Sequence, residues 1–175
     1  MKFATVGCSL NPNSRSDLLV KAAADLLEAK GEQVDRINLA RIELPFCDGA
    51  SCYSDPNVVE VKHRLMEADG ILLGVPIYNY DINAAAKNLV ELTGRDVWTD
   101  KVVGFLCAAG GKGSYMSVMG IANSLMLDFH TMILPRFLYA TGGDFEGERI
   151  ADPEVEQRLE RIVSDLVKFA AVLAE

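Results

Sequence analysis

Gly7-Cys8-Ser9-Leu10-Asn11-Pro12-Asn13-Ser14-Arg15-Ser16 separates the apolar run Phe3-Ala4-Thr5-Val6 from an amphipathic run in which Leu18, Leu19, Ala22, Ala23, Leu26 and Leu27 recur at helical spacing. The first run reads as a short buried strand and the second as a helix from Asp17, so the stretch between them joins a strand to a helix. The first N–H groups of a helix lack intrahelical partners and the macrodipole is positive there, which makes such a junction a candidate phosphate site. Ser9, Ser14 and Ser16 supply hydroxyls, Asn11 an amide, and Arg15 the only full positive charge. The glycine spacing of a dinucleotide fingerprint and the Gly-Lys-Ser/Thr ending of a nucleoside-triphosphate loop are both missing. A plainer account uses the same residues: Ser14 or Ser16 caps the helix and Asn11-Pro12-Asn13 makes a turn.

Downstream, Ala29-Lys30-Gly31 stops the first helix, and Val34, Ile37 and Leu39 mark a second strand. Residues 41–55, with Pro45, Asp48 and Gly49, are long for a connection and read as a surface excursion for binding or assembly, or as an irregular cover. Asp55-Pro56 opens a helix whose buried face is Val58, Val61, Leu65 and Met66, with His63 on the solvated side. Gly70-Ile71-Leu72-Leu73-Gly74-Val75 is continuously apolar, as in a central parallel strand covered on both faces. It leads into the turn Pro76-Ile77-Tyr78-Asn79-Tyr80-Asp81 and a helix through Leu89, Val90 and Leu92 that ends at Thr93-Gly94. A fourth strand, Val102 to Ala108, precedes Ala109-Gly110-Gly111-Lys112-Gly113, whose glycines either let the backbone approach a flat ligand or simply make a flexible turn. The helix predicted from Ser114 to Phe129 is apolar nearly all round and must be buried, its spare stripe against another subunit. Met132 to Ala140 is the fifth strand, at an edge because of Pro135, and Asp152-Pro153 opens a last amphipathic helix through Leu159, Ile162, Val163, Leu166, Phe169 and Leu173.

Strands alternating with helices predict an α/β architecture: a doubly wound, five-stranded parallel sheet of order 2-1-3-4-5 in a single domain over residues 1–175. In such sheets ligands bind beyond the strand carboxyl ends, where the strand order reverses. The loops after the first, third and fourth strands converge there. One phosphate loop, one aromatic loop and one glycine loop together describe a site for flavin mononucleotide (FMN).

A net charge of −8 and a pI near 4.8 repel nucleic acid and anionic lipid, so neither is an expected partner and small molecules are. No apolar run is long enough to span a membrane and the N-terminus lacks a secretory pattern, which points to the cytoplasm. The four cysteines, Cys8, Cys47, Cys52 and Cys107, and the two histidines, His63 and His130, do not form a convincing metal pattern, so no metal is expected.

Gly-x-Ser with Ser-Arg-Ser before a helix, Pro-Ile-Tyr-Asn followed by Ala-Ala-Ala-Lys-Asn, and Ala-Ala-Gly-Gly after the fourth strand together resemble the NADPH-dependent FMN reductase family of flavodoxin-like proteins. The resemblance spans nearly the whole chain. It implies that Ser9, Asn11, Ser14, Arg15 and Ser16 hold the FMN phosphate, Asn11 standing where the family usually has Arg. It implies further that Pro76, Ile77, Tyr78 and Asn79 lie along the isoalloxazine and ribityl, and that Ala109, Gly110 and Gly111 donate backbone N–H groups near the pyrimidine end. NADPH or NADH is then the electron donor, a flavin, quinone or similar small molecule the acceptor, and a homodimer or homotetramer the assembly. The cofactor carries the chemistry, so no catalytic side chain is named.

Two rivals use the same residues. Cys8 opening the loop and Arg15 closing it could serve a cysteine-dependent phosphatase or arsenate reductase, although Arg15 comes one residue late for that chemistry. An electron-carrying flavodoxin would bind FMN without using a nicotinamide.

Overall fold

Phe3, Ala4, Thr5 and Val6 are all fully buried, and in a computed structural model that describes residues 1–174 they form the strand β1 (Lys2–Gly7). Glu175, the last residue of the domain read from the sequence, lies outside the described residues. The chain continues as α1 (Arg15–Ala29), β2 (Gln33–Asn38), α2 (Pro56–Met66), β3 (Gly70–Tyr78), β4 (Asp81–Ile82) and α3 (Ala84–Thr93). After these come the single turn α4 (Arg95–Trp98), β5 (Val102–Ala109), α5 (Met119–Phe129), β6 (Met132–Ile133), β7 (Leu138–Thr141), β8 (Phe145–Glu146), β9 (Arg149–Ile150) and α6 (Pro153–Leu173).

The main sheet runs β2-β1-β3-β5-β6, with β7 also paired parallel to β5 and β4 turned back antiparallel on β3. With β6 and β7 taken together as the fifth strand, the parallel order follows the 2-1-3-4-5 expected from the sequence. The strand number does not: this sheet has seven strands. Two short pieces, β6 and β7, share the fifth place because Pro135 has no N–H to donate and Arg136 sits at φ 60°, outside the extended region. The edge position read from Pro135 is the observed one.

The two faces of the sheet sort the strand residues by alternation. Val6, Ile71, Leu73, Val75, Phe105 and Cys107 face α2, α3, α4 and α5, where Leu65, Leu89, Trp98 and Leu125 meet them. Phe3, Leu72, Val102, Leu106 and Leu138 face α1 and α6, against Leu19, Ala23, Leu159, Ile162 and Leu166. Since both faces are covered, β3 reads in the sequence as an unbroken apolar run rather than an alternating one. The helix starts follow local chemistry: the Asp55 carboxylate accepts the N–H groups of Asn57 and Val58, the Asp152 carboxylate that of Glu154, and a proline follows each. Gly31 at φ 85° and Gly94 at φ 59° end α1 and α3.

The helix predicted from Ser114 differs. Residues 112–118 are 3₁₀ turns, kinked at Ser114, and α5 begins only at Met119. Within α5, Ile121, Ala122 and Leu125 are buried, whereas Leu127 is 81% exposed and Met116, in the preceding turns, 62%. An apolar helix at the edge of the sheet can hide only the stripe that faces it. Among the described residues no helix is long and apolar enough to cross a membrane.

Candidate functional site

Strand register brings the loops together. Gly7 at the end of β1 lies opposite Gly74 in β3, Pro76 opposite Ala108 in β5, and Ala109 opposite Thr141 in β7. The segments after Gly7, Tyr78, Ala109 and Thr141 therefore leave the sheet at one edge, on either side of the point where strand order reverses between β1 and β3.

The first of these is tied down at its start. The Cys8 N–H donates to the Gly74 carbonyl at 2.9 Å, and the Cys8 carbonyl accepts from Asn83 Nδ2 at 2.7 Å. Ser9 Oγ accepts the Asn11 N–H at 3.2 Å, and Asn11 Oδ1 accepts the Asn13 N–H at 3.0 Å. Ser14 occupies the N-cap position of α1 but does not cap it: its hydroxyl lies 2.8 Å from that of Ser16, both buried. The capping account of Ser14 and Ser16 thus fails, and the N-terminus of α1 keeps donors free for a ligand. The one carboxylate in the first turn, Asp17, lies beside Gly7 and is partnered by Arg36 Nη2 and Asn38 Nδ2, each at 3.0 Å. Arg15 takes part in none of the ion pairs among the described residues, and its guanidinium lies against Gly142, where a β-carbon would come within 3.1 Å of Nη1.

The second segment is a two-residue hairpin, β3 pairing with β4 through Tyr78 and Asp81. Its central residues, Asn79 and Tyr80, have φ of 51° and 66°, as a primed turn requires. For Tyr80 this backbone is costly, about 1–2 kcal/mol. Its ring is 70% exposed, while its hydroxyl reaches the glycine segment, where a β-carbon on Gly113 would sit 3.3 Å from it. In that third segment the Gly111 carbonyl accepts from the Tyr139 hydroxyl at 2.6 Å, and β-carbons added to Gly110 or Gly111 would meet nothing within 4 Å. Neither of these glycines has a positive φ, so what they supply is room beside the backbone rather than an unusual turn.

Of the residues singled out by sequence, Ser9, Asn11, Ser14, Arg15, Ser16, Tyr78, Asn79, Gly110 and Gly111 lie at this edge. Pro76 and Ile77 lie inside β3, of which Tyr78 is the last residue, and Ala109 is the last residue of β5. β3 continues three residues beyond Val75, β5 ends on Ala109 rather than Ala108, and Ile77 and Ala109 pack in the core. These three offer the edge little but backbone.

Sequence reading passes over three residues that shape the site. Asn83 is buried with Oδ1 unpartnered, and it hides in the sequence as an ordinary helix cap before Ala84-Ala85-Ala86. Gly74 hides inside an apolar run; a β-carbon there would lie 2.1 Å from Val20 and 2.8 Å from the Ser16 carbonyl, so only glycine lets α1 approach the sheet this closely. Gly142 seats Arg15, and the pattern Thr141-Gly142-Gly143-Asp144 at the end of an apolar strand was its signal. Cys8 is fully buried, and desolvation pushes its thiol up to about 12, so it holds its proton at neutral pH and serves no phosphatase as nucleophile.

A family model described as NADPH-dependent FMN reductase matches residues 1–146. The chain belongs to that family. Its chemistry is that of an FMN-dependent NAD(P)H oxidoreductase. Among similar proteins, an NADPH:quinone oxidoreductase of Arabidopsis thaliana is 28% identical over 97% of this chain and 91% of its own. An NAD(P)H-dependent FAD/FMN reductase of Geobacillus thermodenitrificans is 27% identical over 77% of this chain and 74% of its own. The fold agrees with that of the flavoenzyme NAD(P)H:(acceptor) oxidoreductase FerB from Paracoccus denitrificans, with a TM-score of 0.76, 18% identity and 97% of both chains covered.

Proposed function

We propose that this chain, as a single domain, binds FMN at the shared sheet edge and passes electrons from NADPH or NADH to a quinone, a free flavin or a similar small acceptor. In this reading Ser9, Asn11, Ser14, Arg15 and Ser16 hold the phosphate, Pro76, Ile77, Tyr78 and Asn79 line the ring and ribityl, and Ala109, Gly110 and Gly111 face the pyrimidine end. The uncapped start of α1 beside an unpaired arginine carries the proposal, because free N–H groups, two hydroxyls and one cation suit a phosphate dianion. The empty space beside Gly110 and Gly111 supports a planar ligand there. The unpartnered Asn83 Oδ1 supports a polar group of that ligand nearby.

FMN bound there would supply the redox chemistry, accepting hydride equivalents from a nicotinamide and passing electrons to an acceptor. The chain's own part is to hold and to polarise. The α1 amides and Arg15 fix the phosphate end; Tyr78 and Tyr80 border the outer side of the crevice; the Gly110 and Gly111 amides stabilise negative charge developing at the pyrimidine end. No side chain has to move a proton in the first step.

The exposed apolar residues of residues 112–129, Met116, Met119, Met126 and Leu127, support a homodimer or homotetramer. Unpaired thiols at Cys8, Cys47, Cys52 and Cys107 support the cytoplasm.

Adding FMN to the flavin-free protein is expected to give a yellow complex whose colour bleaches with NADPH and returns with a quinone. No FMN binding would overturn the site. Bleaching by dithionite but by neither nicotinamide would replace the enzyme with an electron carrier.

A further inference from the structure

The segment between β2 and α2 carries chemistry that the flavin edge does not use. Cys47 and Cys52 bring their sulfurs to 4.0 Å. The loop that carries them is held firmly: the Cys47 N–H donates to Asn88 Oδ1 at 2.9 Å, and Asn88 Nδ2 donates to the Pro45 carbonyl at 2.9 Å. Asp48 braces the other side, its carboxylate accepting the Ala50 N–H at 2.8 Å, the Ser51 hydroxyl at 2.7 Å and the Cys52 N–H at 3.1 Å. Cys47 is part-exposed at a cavity of about 310 Å³ that Tyr53, Lys87 and Phe129 also line, whereas Cys52 is buried behind it.

We propose that Cys47 and Cys52 form a redox-active dithiol that a hydroperoxide closes to an intramolecular disulfide, with Cys47 attacking and Cys52 resolving. The Cys47 thiolate attacks one peroxide oxygen, breaking the O–O bond and leaving a sulfenic acid and hydroxide, which takes the proton that Cys47 gave up. Cys52 then attacks the Cys47 sulfur, the S–S bond forms, and the sulfenic oxygen leaves with the Cys52 proton as water. In sum, two thiols and one hydrogen peroxide give one disulfide and two waters. The two sulfurs, 4.0 Å apart, have about 2 Å left to close to a disulfide bond of about 2.05 Å.

The division of labour follows from the surroundings. The Tyr53 hydroxyl, 3.5 Å from the sulfur, and then the Gly49 N–H hold the Cys47 thiol below the ordinary cysteine range, while burial holds Cys52 above it. Cys8 and Cys107 are fully buried and have no such partner.

The test treats the reduced full chain with a small excess of hydrogen peroxide and follows intact mass, free thiols and peptide mass. The expected result is a mass lower by two hydrogens, two of the four thiols lost, a Cys47–Cys52 cross-linked peptide, and recovery with dithiothreitol. In Cys52→Ser the expected product is a Cys47 sulfenic acid, trapped by dimedone, with no intramolecular disulfide. Cys47 proceeding to sulfinic or sulfonic acid in the unsubstituted chain while Cys52 stays a thiol would overturn the proposal. So would a Cys47–Cys47 bond between two chains, or no reaction at either residue.

Discussion

The loop after β1 and the loop between β2 and α2 each carry a cysteine beside groups that could activate it, and the fold treats the two oppositely. Cys8 stands one residue past a strand and before an arginine, where sequence alone allows a nucleophile. Its thiol nevertheless points into the core, 3.7 Å from the Val6 carbonyl, and is pushed up to about 12. Cys47 lies in a stretch without regular strand or helix, yet its sulfur meets solvent and a phenol and its thiol is lowered. Chemical reactivity here is decided by which side of the sheet edge a side chain leaves, not by the residues written next to it.

Alkylation should separate the two most widely. At pH 8 in the folded protein, Cys47, part-exposed and with its thiol lowered, is expected to react with iodoacetamide more than about tenfold faster than the buried Cys8, whose thiol is raised. Comparable rates in a peptide-mass time course would erase the contrast. The next largest effect tests what keeps the first loop in place: Gly74→Ala puts a β-carbon against Val20 and the Ser16 carbonyl, and is expected to cost about 3 kcal/mol in urea unfolding and to impair FMN retention. Cys47 alkylation should be unaffected.

Arg15→Ala sharpens the comparison from the ligand side. Loss of one charge-assisted contact should weaken FMN binding by about tenfold, with the melting temperature of the flavin-free protein nearly unchanged, since the guanidinium is exposed. An unchanged dissociation constant would remove Arg15 from the phosphate site.

The smallest effect concerns the clamp at the base of the second loop. Asp35 in β2 and Arg64 in α2 flank residues 41–55 and pair at 2.6 and 2.9 Å. The hydrogen bond from Arg64 holds the Asp35 carboxyl below its ordinary range. Its contribution is therefore present above the unfolded carboxylate value of about 3.9 and lost as pH falls through the lower folded value. Asp35→Asn is expected to cost about 1 kcal/mol or less at pH 7, given solvent screening, and to approach the parent stability in strongly acidic solution. A gap that stays constant with pH would show that packing, not charge, holds the clamp.

Much of this was legible from local pattern. The helix openings at Asp55-Pro56 and Asp152-Pro153, the glycine stops at Gly31 and Gly94, and the doubly covered strand at Gly70–Val75 follow from capping, φ preference and periodicity, which act over a few residues. Strand ends were not legible. Pro76, Ile77 and Ala109 look like loop residues because proline, tyrosine and glycine neighbours suggest a turn, but partner strands carry β3 past Pro76 and Ile77 and carry β5 as far as Ala109. Nor was the split of the apolar stretch 114–129 into 3₁₀ turns and α5, because periodicity alone does not fix where a helix begins.

The sequence by itself determined the main alternation of strands and helices, because hydrophobic period and turn chemistry are local and survive without the fold, and its motifs carried the resemblance to the family. Only the tertiary structure decided which donors remain free at the start of α1, which thiol keeps its proton, and that Gly74, Asn83 and Gly142 shape the edge. Each of those depends on which atoms meet within a few ångströms, for Gly74, Asn83 and Gly142 atoms far apart in the chain, and burial and hydrogen bonding act over that distance alone.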